Sequence, residues 1–161
     1  MKIFIKKFNE NAGLSQVEFA ENIENRHLSA NEIINEFQQE INSVSIFNSY
    51  FRTFRTPEEL EGTFFMSEFK NYHEIVNEQN FEATEAAQKI STYYEKLNKT
   101  IIKSECNSKT YFIDQAKTAK LSYLCEVTFK SAGSNLPEKY QTVVSAQSAD
   151  VLFQNRKTIY N

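Results

Sequence analysis

Residues that could do chemistry are scarce in this chain of 161 residues. Its two histidines, His27 and His73, are far apart, and neither has a second histidine at the spacing of a helical zinc site. The three glycines are isolated, so they cannot form a glycine-rich loop that holds a phosphate. Cys106 and Cys125 lack a further Cys or His at ligand spacing. We therefore predict no catalytic residue, no metal site and no cofactor.

The two cysteines do support a geometric prediction. If strands 109–114 and 119–130 pair across the turn between them, Cys125 lies opposite about Ser108, and Cys106 lies across the preceding turn from Lys109. We expect the Cα atoms of Cys106 and Cys125 to lie within about 10 Å of each other. A disulfide would join them in an oxidising compartment, whereas the favoured interpretation is two buried thiols.

A segment rich in aromatic residues and arginine offers a candidate binding surface. Eight aromatic residues fall between Phe47 and Tyr72. Core packing is the default explanation, but the segment also contains Pro57 and Gly62, and irregular segments run over protein surfaces. Arginine beside aromatic residues is typical of interface hot spots. The predicted surface for a partner or for self-association consists of Tyr50, Arg52, Phe54, Arg55, Phe64 and Phe65.

The segment from Ala119 to Ser131 is the clearest structural element that the sequence predicts. Alternate residues are apolar, and the residues between them are polar except for Leu124. Because side chains alternate between the two faces of a strand, this pattern predicts one buried and one exposed face. The apolar positions are Ala119, Leu121, Tyr123, Cys125, Val127 and Phe129. We predict a long antiparallel strand around which the sheet is organised.

Capping motifs and helical spacing predict about four helices before this strand. Ser15–Glu18 and Ser29–Glu32 have the spacing of capping boxes, in which the two side chains bond to each other's backbone N–H groups. Apolar residues then recur every three or four positions, and Pro57 must end the second helix. The predicted helices cover residues 15–25, 29–54, 67–79 and 82–98, with a brief further helix after Pro57.

Beyond residue 100 the hydrophobic period changes to two. The predicted strands cover residues 101–106, 109–114, 119–131 and 138–147, with a last hairpin over 150–160 and a short edge strand at Lys2–Phe8. Helix 82–98 is rich in alanine, so we expect it to pack closely across this sheet. The predicted fold is one α+β domain over residues 1–161, with N-terminal helices followed by an antiparallel meander of four to five strands.

Charge and hydropathy suggest a compartment and a packing scheme. Residues 1–95 hold 8 Lys and Arg against 16 Asp and Glu, whereas residues 96–161 hold 10 against 5. We interpret this as a helical layer and a sheet layer of opposite charge; the alternative is a basic sheet face that binds an acidic partner. No apolar run approaches the roughly 18 residues of a membrane span, and the N-terminus does not match a signal peptide. We predict a cytoplasmic protein, with an exported form if the cysteines are disulfide-bonded.

The segment Leu14–Ala20 with Ile23 resembles the first part of a repressor-type helix-turn-helix. A recognition helix must approach phosphates, but the next predicted helix carries Glu32, Glu36 and Glu40 and no Lys or Arg in the same turns. We therefore expect no nucleic-acid partner, and we interpret the segment as a capped acidic helix.

Three functions of different classes fit these patterns. The principal prediction is a small non-catalytic protein that binds another protein, of the immunity, inhibitor or mobile-element accessory type. The alternative is a pocket domain for a small ligand or for assembly, because a helix over a bent meander is similar in outline to the cystatin-like and nuclear-transport-factor-like architectures. Tyr93, Tyr94, Tyr123 and Tyr140 would then line the pocket. The third is an enzyme that uses acids and tyrosines in an arrangement without a sequence motif.

Overall fold

A computed structural model describes residues 18–29, 32–55, 63–134 and 136–157 of the chain. These residues form nine β-strands and one α-helix. The chain divides into two compact units, one that ends at Asn71 and one that begins at Tyr72. The single domain over residues 1–161 stays a prediction.

The first unit contains four antiparallel strands, each paired with the next. They are β1 (Glu18–Ser29), β2 (Glu32–Ile41), β3 (Val44–Arg55) and β4 (Thr63–Glu68). The helices predicted over 15–25 and 29–54 are therefore wrong, and residues 18–23 of the segment that resembles a helix-turn-helix lie in β1. The predicted edge strand Lys2–Phe8 and the brief helix after Pro57 lie outside the described residues.

The turn between β2 and β3 explains the wrong helix over 29–54. Asn42 and Ser43 both have positive φ angles, 50° and 63°, which suit a two-residue hairpin turn. Phe37, Gln39 and Ile41 are the buried residues that precede it. Because the middle one is polar, the strand period is concealed, and the apolar residues that remain are four positions apart, as on a helix.

A bulge in β3 adds to the concealment. Between the paired positions Gln38–Tyr50 and Glu40–Ser45, β3 contains more residues than β2, and Asn48 adopts a φ of 53°. A bulge shifts the alternation of side chains along its strand. The apolar residues of β3 therefore recur at irregular spacings that resemble a helical stripe.

The second unit is a meander of long antiparallel strands with a helix on one face. Its elements are β5 (Glu74–Val76), α1 (Ala83–Lys96), β6 (Lys99–Ile113), β7 (Thr118–Ser131), β8 (Glu138–Ser145) and β9 (Val151–Lys157). The sheet order is β6-β7-β8-β9, and β5 pairs in parallel with the start of β7. The long strand predicted over 119–131 is confirmed, because its six apolar positions are buried on one face of β7.

Three further predicted elements of this unit need correction. The strands predicted over 101–106 and 109–114 form one strand, because residue 107 lies at a bulge opposite β7 and not at a turn. In place of the final hairpin, the single strand β9 continues through the turn predicted around Asn155, and residues 158–160 of that hairpin lie outside the described residues. The helix predicted over 67–79 is wrong, because the described residues there form no helix. The backbone N–H of His73 instead donates to Lys117 O at 2.9 Å, just before β5 begins.

The helix α1 packs on the buried face of the meander. Its buried residues are Ala86, Ile90 and Tyr94, and the Tyr94 ring lies 4.9 Å from the ring of Phe129. Asn98, with a φ of 57°, ends the helix and turns the chain into β6.

The predicted fold class is therefore wrong in its first half. The helix lies in the middle of the chain, and strands precede it as well as follow it. Because the acidic residues before α1 belong mainly to strands and connections, the interpretation of an acidic helical layer against a basic sheet is wrong too. The sequence predicts helices there because polar inward-facing residues and bulges interrupt the strand period of the first unit. The apolar residues that remain recur at a spacing that is typical of helices.

Candidate binding surfaces

The predicted aromatic and arginine surface lies on two paired strands of the first unit. Tyr50 and Arg52 stand on β3 and are half-buried. The Arg52 guanidinium carbon lies 4.7 Å above the centre of the Tyr50 ring. Its Nε donates to Glu36 Oε2 on β2 at 2.6 Å. Arg52 is thus held between an aromatic face and a carboxylate, with 31% of its side chain exposed.

The other four predicted residues occupy the same pair of strands. Phe54 and Arg55 lie at the end of β3, and Phe64 and Phe65 lie in β4, where Phe64 pairs with Thr53. Their side chains lie outside what the structure describes. The expected setting, a helix followed by a loop, is replaced by a β3–β4 ladder. Whether these six residues bind a partner stays a prediction.

A second candidate surface is a groove of about 430 Å³ between α1 and β6 in the second unit. Most of the side chains around it are short and uncharged. The lining residues are Ala83, Thr84, Ala87, Gln88 and Ser91 from α1, and Ser104, Glu105, Cys106 and Asn107 from β6. Such a volume is within the range of small-molecule sites, about 300 to 1,000 Å³.

The spacing of small residues on α1 creates this groove. Ala83, Ala87 and Ser91 are four residues apart, so they lie on one face of the helix. The hydroxyls of Ser91 and Ser104 both donate to the carbonyl oxygen of Ala87, each at 3.0 Å. This shared acceptor ties β6 to the middle of α1 and fixes the width of the groove at that point.

Glu105 is the charged residue among the groove's lining residues, and its charge is balanced. Lys103 Nζ lies 2.7 Å from Glu105 Oε1. The hydrogen bond from Lys103 lowers the pKa of Glu105 below its ordinary value. The groove therefore presents mainly hydroxyl, amide and methyl groups to a ligand.

One wall of the groove contains half of a disulfide. Cys106 and Cys125 are directly paired in the β6–β7 register and are disulfide-bonded, with their Cα atoms 4.0 Å apart. The predicted proximity is confirmed, and the interpretation as two free thiols is wrong. A disulfide is compatible with an exported form, while cytoplasmic location stays a prediction.

The four tyrosines proposed as pocket lining lie elsewhere. Tyr94 and Tyr123 are buried at 3% and 2% exposure, and desolvation raises the pKa of both. Tyr140 stacks on Phe129, with ring centres 5.2 Å apart, and Tyr93 is 40% exposed. The two buried rings therefore fill the space between helix and sheet, and the groove opens beside it.

The alanines of α1, which predict close packing on the sheet, also form the groove. Ala86 does lie close to the sheet, with no exposed surface. Ala83 and Ala87, on the adjoining face of α1, leave space unfilled and line the groove instead. When small residues occupy the adjoining face of a helix as well as the face that packs on the sheet, they leave a groove next to the packed face.

Metal sites and membrane-spanning helices are absent from the described part of the chain. No group of three or more His, Cys, Asp and Glu side chains there could hold a metal ion. His73 is exposed, and the side chain of His27 lies outside what the structure describes. Among the described residues, the one helix is too short and too polar to cross a membrane.

Comparisons with known proteins give a structural likeness but no family. No family model matches the chain, and no curated protein matches it. The structure is similar to that of the Bacillus megaterium YpeB C-terminal domain, with a TM-score of 0.41 and 14% sequence identity. The match covers 96% of this chain and 62% of that chain, so this chain spans less than two thirds of the other's length. At this TM-score the likeness says nothing about function.

Proposed function

We propose that this protein is a non-catalytic binding protein that engages another protein through the Tyr50–Arg52 surface of β3. The observation that carries the proposal is the fixed position of Arg52, stacked on Tyr50 and bonded to Glu36. Arginine and tyrosine are enriched among residues that dominate binding energy. An immunity, inhibitor or mobile-element accessory role would use such a surface.

Fixing the arginine before binding would favour affinity. Immobilising a long side chain on association costs about 0.5–1.5 kcal/mol, and a side chain that is already held avoids part of that cost. The half-buried position on a strand supports the same use, because a sheet presents its side chains more rigidly than a loop does. Self-association through this surface is the homotypic form of the proposal.

The test compares Arg52→Ala with Arg156→Ala. Arg156 also faces a glutamate, Glu138, but at 3.7 Å and with 65% of its side chain exposed. Partners would be captured from the source organism, identified, and measured by titration, with oligomer size determined in parallel. We expect Arg52→Ala to weaken binding by about tenfold or more and Arg156→Ala to have little effect.

The stability of the same variants separates a binding role from a structural one. An exposed or half-exposed ion pair contributes about 0.2–1 kcal/mol, so Arg52→Ala should lower the melting temperature only slightly. A large loss of stability with unchanged association would refute the proposal for this surface. Phe64→Ala and Arg55→Ala, treated in the same way, test the remainder of the predicted surface.

A second candidate function, a pocket for a small ligand, is favoured by the groove beside α1. Its uncharged polar lining suits a ligand bound by hydrogen bonds. A ligand screen by thermal shift, repeated on Ala87→Leu, would test this function. Stabilisation that is lost in Ala87→Leu but kept in Thr92→Leu, on the exposed face of α1, would support it.

A further inference from the structure

The two sulfur atoms of the disulfide differ in their access to solvent. Cys125 lies on the buried face of β7 and has no exposed surface. Cys106 is half-buried and lines the groove beside α1. Thiol–disulfide exchange requires that a thiolate reach one of the two sulfurs. Because Cys106 is the more exposed cysteine of the pair, a thiol in solvent reaches its sulfur more easily.

We propose that Cys106 is an exchange site at which a small peptide-like thiol of the glutathione class forms a mixed disulfide inside the groove. This inference depends on the disulfide and the groove and is independent of either proposed function. It assigns to this chain a covalent modification site that no cysteine motif in the sequence predicts.

The groove has the size and chemistry that such a ligand requires. About 430 Å³ is enough for a small ligand. Thr84, Gln88 and Asn107 provide hydroxyl and amide groups that can bond to the peptide groups of the thiol. The Glu105 carboxylate lies on the other face of β6 from Cys106, because Glu105 pairs with Glu126 and Cys106 pairs with Cys125, and it is also paired with Lys103. Repulsion of the incoming negative charge is thereby reduced.

The reaction balances without a further oxidant. The thiolate attacks Cys106 Sγ, a bond forms between the two sulfurs, and the Cys106–Cys125 bond breaks. The electron pair of the broken bond leaves on Cys125 Sγ, and the proton that the attacking thiol released on ionising is returned to this sulfur. Burial favours the neutral thiol of Cys125. In the reverse step Cys125 attacks Cys106 Sγ, releases the small thiol and restores the disulfide.

The first experiment maps the mixed disulfide on the native protein. Protein shown to contain no free thiol is incubated with reduced glutathione, free thiols are alkylated at early times, and peptides are analysed by mass spectrometry. We expect glutathione on Cys106 and the alkylating group on Cys125, at least about tenfold more often than the reverse. Equal labelling, preference for Cys125, or modification only in denaturant would each overturn the proposal. Two free thiols in the native protein would also overturn it.

The second experiment tests whether the groove admits the thiol. Ala87→Leu fills the groove and leaves both cysteines in place, whereas Thr92→Leu places the same side chain on the exposed face of α1. We expect mixed-disulfide formation to slow about tenfold in Ala87→Leu and to stay unchanged in Thr92→Leu. Melting temperatures of both variants check that they fold. A folded Ala87→Leu that reacts at the wild-type rate shows that the groove is not the route, and the proposal fails.

Discussion

The two units bury polar groups in different ways. In the first unit, Gln39 and Ser49 are 1% and 0% exposed in the middle of their strands, and the Ser49 hydroxyl donates to Gln39 Oε1. Both side chains also bond to the backbone of Lys70: its N–H donates to Gln39 Oε1 at 3.2 Å and its carbonyl accepts from Gln39 Nε2 at 3.1 Å. A polar pair thus fixes the segment that follows β4.

In the second unit, polar atoms sit at the ends of large apolar rings. The Tyr123 hydroxyl donates to the Phe81 carbonyl at 2.8 Å, just before α1 begins. The Tyr94 hydroxyl donates to Gln154 Oε1 on β9 at 3.0 Å, toward the other end of the helix. The rings supply apolar contact, and the hydroxyls join the helix to its surroundings. The first unit thus buries a hydrogen-bonded pair of polar side chains beside Phe37, Ile41 and Ile46. The second unit also buries polar residues, namely Thr110, Ser122, Thr142 and Ser145, but its helix is joined to the surrounding chain by tyrosine hydroxyls at the ends of buried rings.

The largest effect should come from the apolar interior of the second unit. Ile90 is 1% exposed on the sheet side of α1, so Ile90→Ala removes buried methyl and methylene groups and leaves a cavity. We expect a loss of about 2–5 kcal/mol in the free energy of unfolding, measured by urea denaturation. Leu97→Ala, at a position 50% exposed just after the helix, is the control and should cost much less. Equal losses in the two variants would mean that α1 is not packed as described.

A smaller effect should come from the polar interior of the first unit. Gln39→Met keeps the side-chain length but leaves Ser49 and the Lys70 backbone without their shared partner. We expect a loss of about 1–3 kcal/mol in the free energy of unfolding. The neighbouring Gln38 is half-buried, and its amide lies 3.5 Å from the Ile46 carbonyl oxygen. Gln38→Met should therefore cost less than about 0.5 kcal/mol. A stable Gln39→Met variant would show that this pair is dispensable and would remove the contrast between the units.

The same contrast explains which elements the sequence predicts. On β7 each inward position is apolar, so the strand period stands out without interruption. The apolar stripe through Ile90 likewise predicts α1. The structure adds a capping box at its start, where the Glu82 N–H donates to Glu85 Oε2 at 2.9 Å. The proximity of the two cysteines is predicted by the pattern of β7 together with the pairing expected between β7 and the preceding strand. These features depend on local spacing alone.

The first unit could not be predicted in this way, because its inward positions are chemically mixed. Gln39 is polar but buried, and its side chain can be buried only because it forms hydrogen bonds to Ser49 and Lys70, which are distant in sequence. Its hairpin turn uses Asn42 and Ser43 and contains neither Gly nor Pro. The groove was missed for a related reason: Ala83 and Ala87 look like contact residues until the position of β6 is known.

The smallest effect should come from the face of the meander that points away from α1. Glu126 on β7 lies between Lys139 of β8 and Lys157 of β9, and the Nζ atom of each lysine is 2.7 Å from a carboxylate oxygen of Glu126. Hydrogen bonds from Lys139 and then Lys157 lower the pKa of Glu126 below its ordinary value of 4.5. Because 29% of the side chain is exposed, solvent screens much of this attraction.

Removing the charge of Glu126 tests whether its ion pairs stabilise the fold and how that contribution changes with pH. A carboxylate whose pKa is lower in the folded chain stabilises the fold above its unfolded pKa, and that contribution disappears as the pH falls through the folded pKa. Glu126→Gln should therefore cost up to about 1 kcal/mol at pH 7 and nothing measurable well below pH 4. Glu95→Gln, at an exposed position of α1, is the matched control and should change stability little at either pH. Urea denaturation of the three proteins across this pH range measures the difference. If the free energies of unfolding of wild type and Glu126→Gln differed as much in acid as at neutral pH, the cause would be lost packing and not lost charge. This face of the meander would then contribute to stability as the interior does.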